Sequence, residues 1–136
     1  MKTVDLLKSA SNTLAAGRRI TTGQLHTAFE NIANANSAAK TQGAEPYARK
    51  IAVFGLVVPD SDKDSVGRVV RDHSAFRTRY DPGSAGADQS GYVKLPNVNT
   101  TLEFMNVQSL ARAYEMNMNA SDAIDKSAKA TLDLLK

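Results

Sequence analysis

Four groups of residues in this chain have types and spacings that chemistry could use. Asp60, Asp62 and Asp64 stand at alternate positions, as carboxylate ligands do at the start of an EF-hand calcium loop. Ser65 falls where that loop needs Gly, and Arg71 falls where the bidentate Glu belongs, so a solvated hairpin tip is the ordinary setting for these acids. Asp72, His73 and Ser74 are the residue types of a hydrolase triad. Consecutive side chains point apart, however, and cannot form a relay among themselves. His26 and Glu30, four apart on one helical face, could hold a metal, but two His in the whole chain leave a first shell hard to complete. The run Gly83-Ser84-Ala85-Gly86 precedes no helix and lacks the Lys of a phosphate-binding loop. No acid/base pair, nucleophile, metal set or cofactor signature survives, and the residues argue against an enzyme.

The elements that carry these residues explain the chain better than the residues do. At 136 residues it has room for one domain. Aromatic residues make up 6% and Trp is absent, so the apolar mass available for a core is modest. The net charge is only +3, with basic residues single or paired (Arg18-Arg19, Arg49-Lys50), which argues against nucleic-acid binding. No apolar run approaches the ~20 residues of a membrane span. The beginning, MKTVDLLKSASNTLAAGRR, lacks the apolar segment of a cleaved signal peptide. The expectation is a chain that stays in the cytoplasm or leaves by a route that reads no such peptide. The absence of Cys removes disulfides and thiolate sites.

After Pro96 there is neither Pro nor Gly, and the spacing predicts one helix from Thr101 onward. At about 1.5 Å per residue it runs roughly 50 Å, longer than a compact domain of this size is wide. Thr100 followed by Glu103 fits a capping box. Val107, Leu110, Tyr114, Asn117, Ser121, Ile124, Ala128, Thr131 and Leu135 keep the 3-4 spacing of a coiled-coil seam. Asn117, Ser121 and Thr131 weaken that seam and can fix its register. Asp122 to Lys126 and Asp125 to Lys129 are favourable i,i+4 pairs.

At the other end, Val4, Leu7, Ser11 and Leu14 begin a seam, and Leu25, Phe29, Ile32 and Asn36 form a second. Gly17 to Gly23 weakens the stretch between them, and a single interrupted helix over 4–35 is the favoured reading over two helices at a bend. Between the helical ends, residues 37–46 read as linker, 47–58 (YARKIAVFGLVV) as a strand ended by Pro59, and 65–72 as its return strand. Residues 71–80 carry no decisive pattern. Asp81-Pro82-Gly83 is a turn, 84–90 continue as loop, and 91–95 form a short strand. The predicted class is α+β. Residues 1–36 and 101–136 form a discontinuous helical domain, 37–100 form a β-rich insert, and the two ends pack together.

The run Asn31-Ile32-Ala33-Asn34-Ala35-Asn36 closing the first helix resembles the signature of the flagellar axial proteins, the rod, hook and related components. Ser74-Ala75-Phe76-Arg77, Tyr80-Asp81-Pro82-Gly83, Ala87-Asp88, the stretch Gly91, Tyr92 to Pro96, Asn97 (GYVKLPNVN), and Ala111-Arg112-Ala113-Tyr114-Glu115 with Asn117 resemble the rod members more specifically. The pattern departs at Ala75, at Ser84 to Gly86, at Glu30, in 18–24 and at Asp125.

The resemblance implies a structural subunit of the basal-body rod, exported unfolded through the flagellar type III apparatus, with its helical ends around the rod axis and its β insert outside. The implied partners are other copies of the chain, other rod proteins and the basal-body adaptor at the rod base, with no cofactor and no small-molecule substrate. On this reading Leu7, Leu14, Phe29, Ile32, Val107, Leu110, Tyr114, Asn117, Ile124 and Leu132 form the assembly seam. Interrupted helical ends of this kind bury too little alone and order fully only among neighbours. A cytoplasmic helical adaptor or export chaperone, or a small hydrolase centred on His73, are the competing classes.

Overall fold

The computed structural model describes residues 2–54 and 67–133. Its order is α1 (Lys2–Ala33), β1 (Lys50–Val53), β2 (Arg68–Arg71), β3 (Arg77–Tyr80), β4 (Tyr92–Leu95) and α2 (Thr100–Asp133). The architecture is α+β: the two long helices pack on one another, and two small antiparallel hairpins lie between them in sequence. Strand β1 packs on α1. The loop acids Asp60, Asp62 and Asp64, and the seam position Leu135, lie outside the described residues.

Helix α1 runs unbroken through Gly17 and Gly23, as the single-helix reading expects. The helices are antiparallel and close. A Cβ added at Gly17 would sit 3.3 Å from the Asn117 side-chain amide, so the Asn117 side chain lies close against α1 at Gly17. Thr21 and Thr27 satisfy their hydroxyls on the carbonyls four residues back, at 2.9 and 3.0 Å, which lets polar residues sit on this buried face.

The expected capping box does not form. Asn99 is the cap: its Oδ1 accepts the N–H groups of Thr101 (3.1 Å) and Leu102 (3.3 Å), while its carbonyl accepts the N–H of Glu103 at 3.0 Å. Asn competes well for this role, and Glu103 is drawn instead toward a cation described below. The expected pairs Asp122–Lys126 and Asp125–Lys129 make no ion pair either. Solvated charges gain too little from such pairing to hold long side chains in one geometry.

The first hairpin pairs Lys50 with Arg71 through to Val53 with Arg68, within the two runs read as strand and return strand. The second pairs Arg77 with Leu95 through to Tyr80 with Tyr92 and brings order to 77–80, which carry no decisive pattern in sequence. All four residues of β3 are exposed, so no alternation marks it. The Tyr80 and Tyr92 rings meet edge to face at 5.3 Å across the pair.

The connecting loop closes on itself. Ser84 N–H reaches Asp81 O at 3.1 Å, Asp81 N–H reaches Gly91 O at 2.9 Å, and the Asp88 carboxylate accepts the N–H groups of Ser90 and Tyr92 at 2.8 and 2.9 Å. Gly91 takes φ +80°, and Gly86 lies directly on the Ala39 carbonyl, where a Cβ would approach to 2.1 Å. A Cβ added at Gly83 would meet nothing within 4 Å. Gly86→Ala is therefore expected to lower the unfolding free energy by about 1–3 kcal/mol, the ordinary range for overpacking. Gly83→Ala should leave it nearly unchanged. Denaturant titration of the two variants checks this, and equal effects would contradict the loop packing.

Candidate assembly site

The centre of the molecule is a polar junction between the two helices and the first hairpin. Asn31, 1% exposed, holds both backbone groups of Lys50: its Nδ2 donates to Lys50 O at 2.9 Å, and its Oδ1 accepts Lys50 N–H at 2.8 Å. The Tyr47 hydroxyl donates to the same Oδ1 at 2.9 Å. β1 is thereby attached to α1 as though to another strand. Lys50 Nζ then pairs with Glu30 and stands over the Tyr47 ring.

Arg49, one residue earlier, points to α2. Its Nε donates to Glu103 Oε1 at 2.6 Å, and its Nη1 lies 3.4 Å from Asp72 Oδ2. Glu103 is 2% exposed and is the only buried residue of α2 among those described. Burial opposes the charge on Arg49, and the hydrogen bond and charge of Glu103, followed by those of Asp72, outweigh it and raise its pKa. Asn97 completes the junction. Its Oδ1 accepts Arg49 N–H at 2.7 Å, and its Nδ2 donates to Ser74 Oγ and O at 2.9 and 3.1 Å. The N–H of Ser74 on its carboxylate, with further help from the Ser74 side chain and Arg49, holds the Asp72 pKa low. Asp72 and Ser74 thus serve a turn, and His73 between them is exposed. His26 is exposed, and its would-be metal partner Glu30 is engaged by Lys50.

Around this junction the helices meet along a 3-4 seam. Gln24, Ala28 and Asn31 face Glu103, Asn106 and Leu110 across a cleft of about 280 Å³. Further along, Leu7 and Ser11 face Ile124, Ala128 and Thr131 across a groove of about 250 Å³. Leu14, Val107 and Asn117 are half-buried, and Tyr114 is 37% exposed at the seam's edge.

On α2 the less exposed positions between Val107 and Thr131 keep a 3-4 spacing, whereas in the second half of α1 the inward stripe stands one residue before Leu25, Phe29, Ile32 and Asn36. Gly17, Thr21, Gln24, Ala28, Asn31 and Ala35 face inward, and the stripe Leu25, Phe29, Ile32 and Asn36 lies to the side, with Phe29 54% exposed. Small and polar residues win the inner face because they allow close approach and can bond to β1. Leu132 is 58% exposed.

Of the motif residues, Asn31, Asn97 and the buried Pro96 belong to the junction or its flank. Asn34 caps the end of α1 by donating to Glu30 O at 2.9 Å and receiving the Ser37 hydroxyl at 3.3 Å. Asp81, Pro82, Gly83, Gly91 and Tyr92 build the loop of the second hairpin, and Ala33, Asn36 and Arg112 are exposed. Sequence reasoning missed Arg49 and the true role of Glu103. The available signal was that Glu103 extends the seam of Val107 by one step, and a carboxylate on a buried face demands a cation.

Residues 89–134, the end of the second hairpin's loop with β4 and α2, match the model of the flagellar basal body rod FlgEFG protein C-terminal family. The matched stretch, 46 of the 136 residues, makes this part of the chain similar to the C-terminal part of flagellar basal body rod proteins. Over 98% of both chains the sequence is 36% identical to the flagellar basal-body rod protein FlgC of Agrobacterium fabrum. It is 30% identical to that of Salmonella typhimurium over 98% of both, and 32% identical to that of Borreliella burgdorferi over 93% of this chain and 97% of the relative. The chain belongs to the FlgC family of flagellar basal-body rod proteins and is a structural rod subunit.

Asn31→Ala leaves the Lys50 backbone groups without their buried partners and is expected to cost about 2–4 kcal/mol of stability, at about 1–3 kcal/mol per orphaned group. Chemical denaturation measures it; a loss below about 1 kcal/mol would contradict the attachment of β1. Burial, then the charges of Glu30 and Glu103, push the Tyr47 pKa up to about 12. A raised phenol pKa means its stabilisation is complete below the unfolded value of about 10 and is lost as pH rises from there toward the folded value. Tyr47→Phe should remove the highest-pH step from the ultraviolet tyrosinate titration, and persistence of that step would overturn the assignment.

Proposed function

We propose that this chain builds the proximal part of the rod and carries torque along it as a passive structural element, with no catalytic role. Its neighbours on this reading are other copies of itself, other rod proteins and the basal-body adaptor at the rod base. It reaches its periplasmic position through the flagellar type III export apparatus. The observation that carries the reading is the burial of α2. Its 34 residues, about 50 Å of helix, bury one side chain among those described, and that one is charged. Leu102, Phe104, Met105, Met116 and Leu132 are all more than half exposed. The described core elsewhere consists of small apolar residues: Ala28, Ala35, Ala39, Ala48, Val93 and Val98. A helix pair with this little buried apolar area repays its own ordering poorly, and packing among neighbours supplies the remainder.

No described helix is long and apolar enough to cross a membrane. Among the described residues, Asp72 and Ser74 are tied into a turn, Glu30 is engaged by Lys50, and His26 and His73 are exposed. Tagged chain should co-purify with basal bodies; recovery solely from the cytosol would favour an adaptor or export chaperone. Leu110→Lys, a charge on the half-buried face opposite Ala28 and Asn31, should leave the chain expressed and abolish its incorporation. Full motility in that variant would refute the seam. Amide exchange on the isolated chain should be fast in 2–20 and 115–133 and slower at the junction, and strong protection at both ends would sink folding coupled to assembly.

A further inference from the structure

Each helix carries a second stripe one residue behind the seam. On α1 it is Arg18, Thr22, Leu25 and Phe29; on α2 it is Phe104, Gln108, Ala111 and Glu115, continuing to Met118 and Asp122. Both keep 3-4 spacing, and both place large apolar groups in solvent: Phe29 is 54% exposed, Phe104 55% and Met118 40%. Their charges are opposite. Helix α1 holds four basic and two acidic residues, α2 three basic and five acidic.

The α1 stripe also contains an unmet demand. Arg18 Nη1 is buried with no hydrogen-bond partner among the described residues, beside an open groove of about 540 Å³ lined by Ala15, Arg18, Arg19, Thr22, Gly23 and Tyr114. A buried guanidinium N–H left unpaired is costly, and a carboxylate is its best partner. Glu115 on α2 is exposed and makes no ion pair among the described residues.

We propose that the α1 stripe of one copy docks on the α2 stripe of a second copy of this chain, with Arg18 paired to Glu115. This rests on the rod-subunit reading and names the surface by which copies adjoin. The spacing fits an antiparallel crossing: Arg18 to Phe29 and Glu115 to Phe104 are each eleven residues. With Arg18 beside Glu115, at nearly the level where Gly17 meets Asn117 within one chain, Thr22 meets Ala111, Leu25 meets Gln108 and Phe29 meets Phe104.

The absence of Cys makes the test clean. Two single-cysteine forms, Phe29→Cys and Phe104→Cys, are co-expressed and basal bodies are isolated under mild oxidation. A disulfide dimer of the two forms is expected, and none when Leu6→Cys replaces Phe29→Cys. Both forms present in basal bodies without a mixed dimer, or linked only to a different protein, would overturn the proposal while leaving the rod reading standing. Absence of the chain from basal bodies would instead overturn the rod reading and the proposal with it. As a second arm, Arg18→Glu should reduce incorporation at least about tenfold, the effect of losing one good charge pair at an interface. Adding Glu115→Arg should restore incorporation, and a double variant worse than the single one would also reject the pairing.

Discussion

The Glu103 carboxylate is the constraint on which the arrangement depends. A charge removed from water on a helix face must find an opposite charge and full hydrogen bonding, or the helix does not dock there. Arg49 supplies both, and Arg49 is placed by the residue beside it, since Lys50 is bound through its backbone to Asn31 on α1. One ion pair thus links α2 to β1, and one amide links β1 to α1. Together they set the level at which two 50 Å helices lie side by side, and the close approach of Gly17 and Asn117 follows from that level.

Such a junction contributes positional precision more than net stability. A buried ion pair roughly offsets its desolvation, so its main effect here is to exclude other registers of a seam that is small-residued and weakly apolar. Gly17, Thr21, Ala28 and Asn31 let the helices come close but offer little area to bury. The hydrophobic residues that could have made a stronger pair, Phe29, Phe104, Met105 and Met116 among them, are turned outward. The molecule is well specified at its centre and unsatisfied on its flanks, the distribution expected of a subunit that completes its packing in a larger structure.

Much of the fold was legible from pattern alone. Polar interruptions did not hide the 3-4 spacing of α2, because interruption at Asn117, Ser121 and Thr131 leaves the period intact. The first hairpin was visible in its β-branched runs. Strand β3 was not, since Arg77 to Tyr80 are all exposed and have no buried face to mark. The second half of α1 was misplaced by one residue for a related reason. Leu25, Phe29 and Ile32 are the apolar period, and apolarity was taken to mean inward, but the inner face there is chosen by closeness of backbone and by hydrogen bonding to β1.

The sequence by itself determined the two long helices, the first hairpin between them and the family, because these depend on local periodicity, turn residues and short motifs. Only the tertiary structure decided which of two stripes faces inward and what Glu103, Asn31 and Asn97 do. Glu103 reads locally as a helix-capping acid, and it becomes a buried ion-pair partner because Arg49, 54 positions away, is brought to 2.6 Å. Asn97 and Asn31 acquire their roles the same way, through bonds spanning 48 and 19 positions. Partners so distant along the chain leave no periodic trace, and their choice is made when the helices and the hairpin come together.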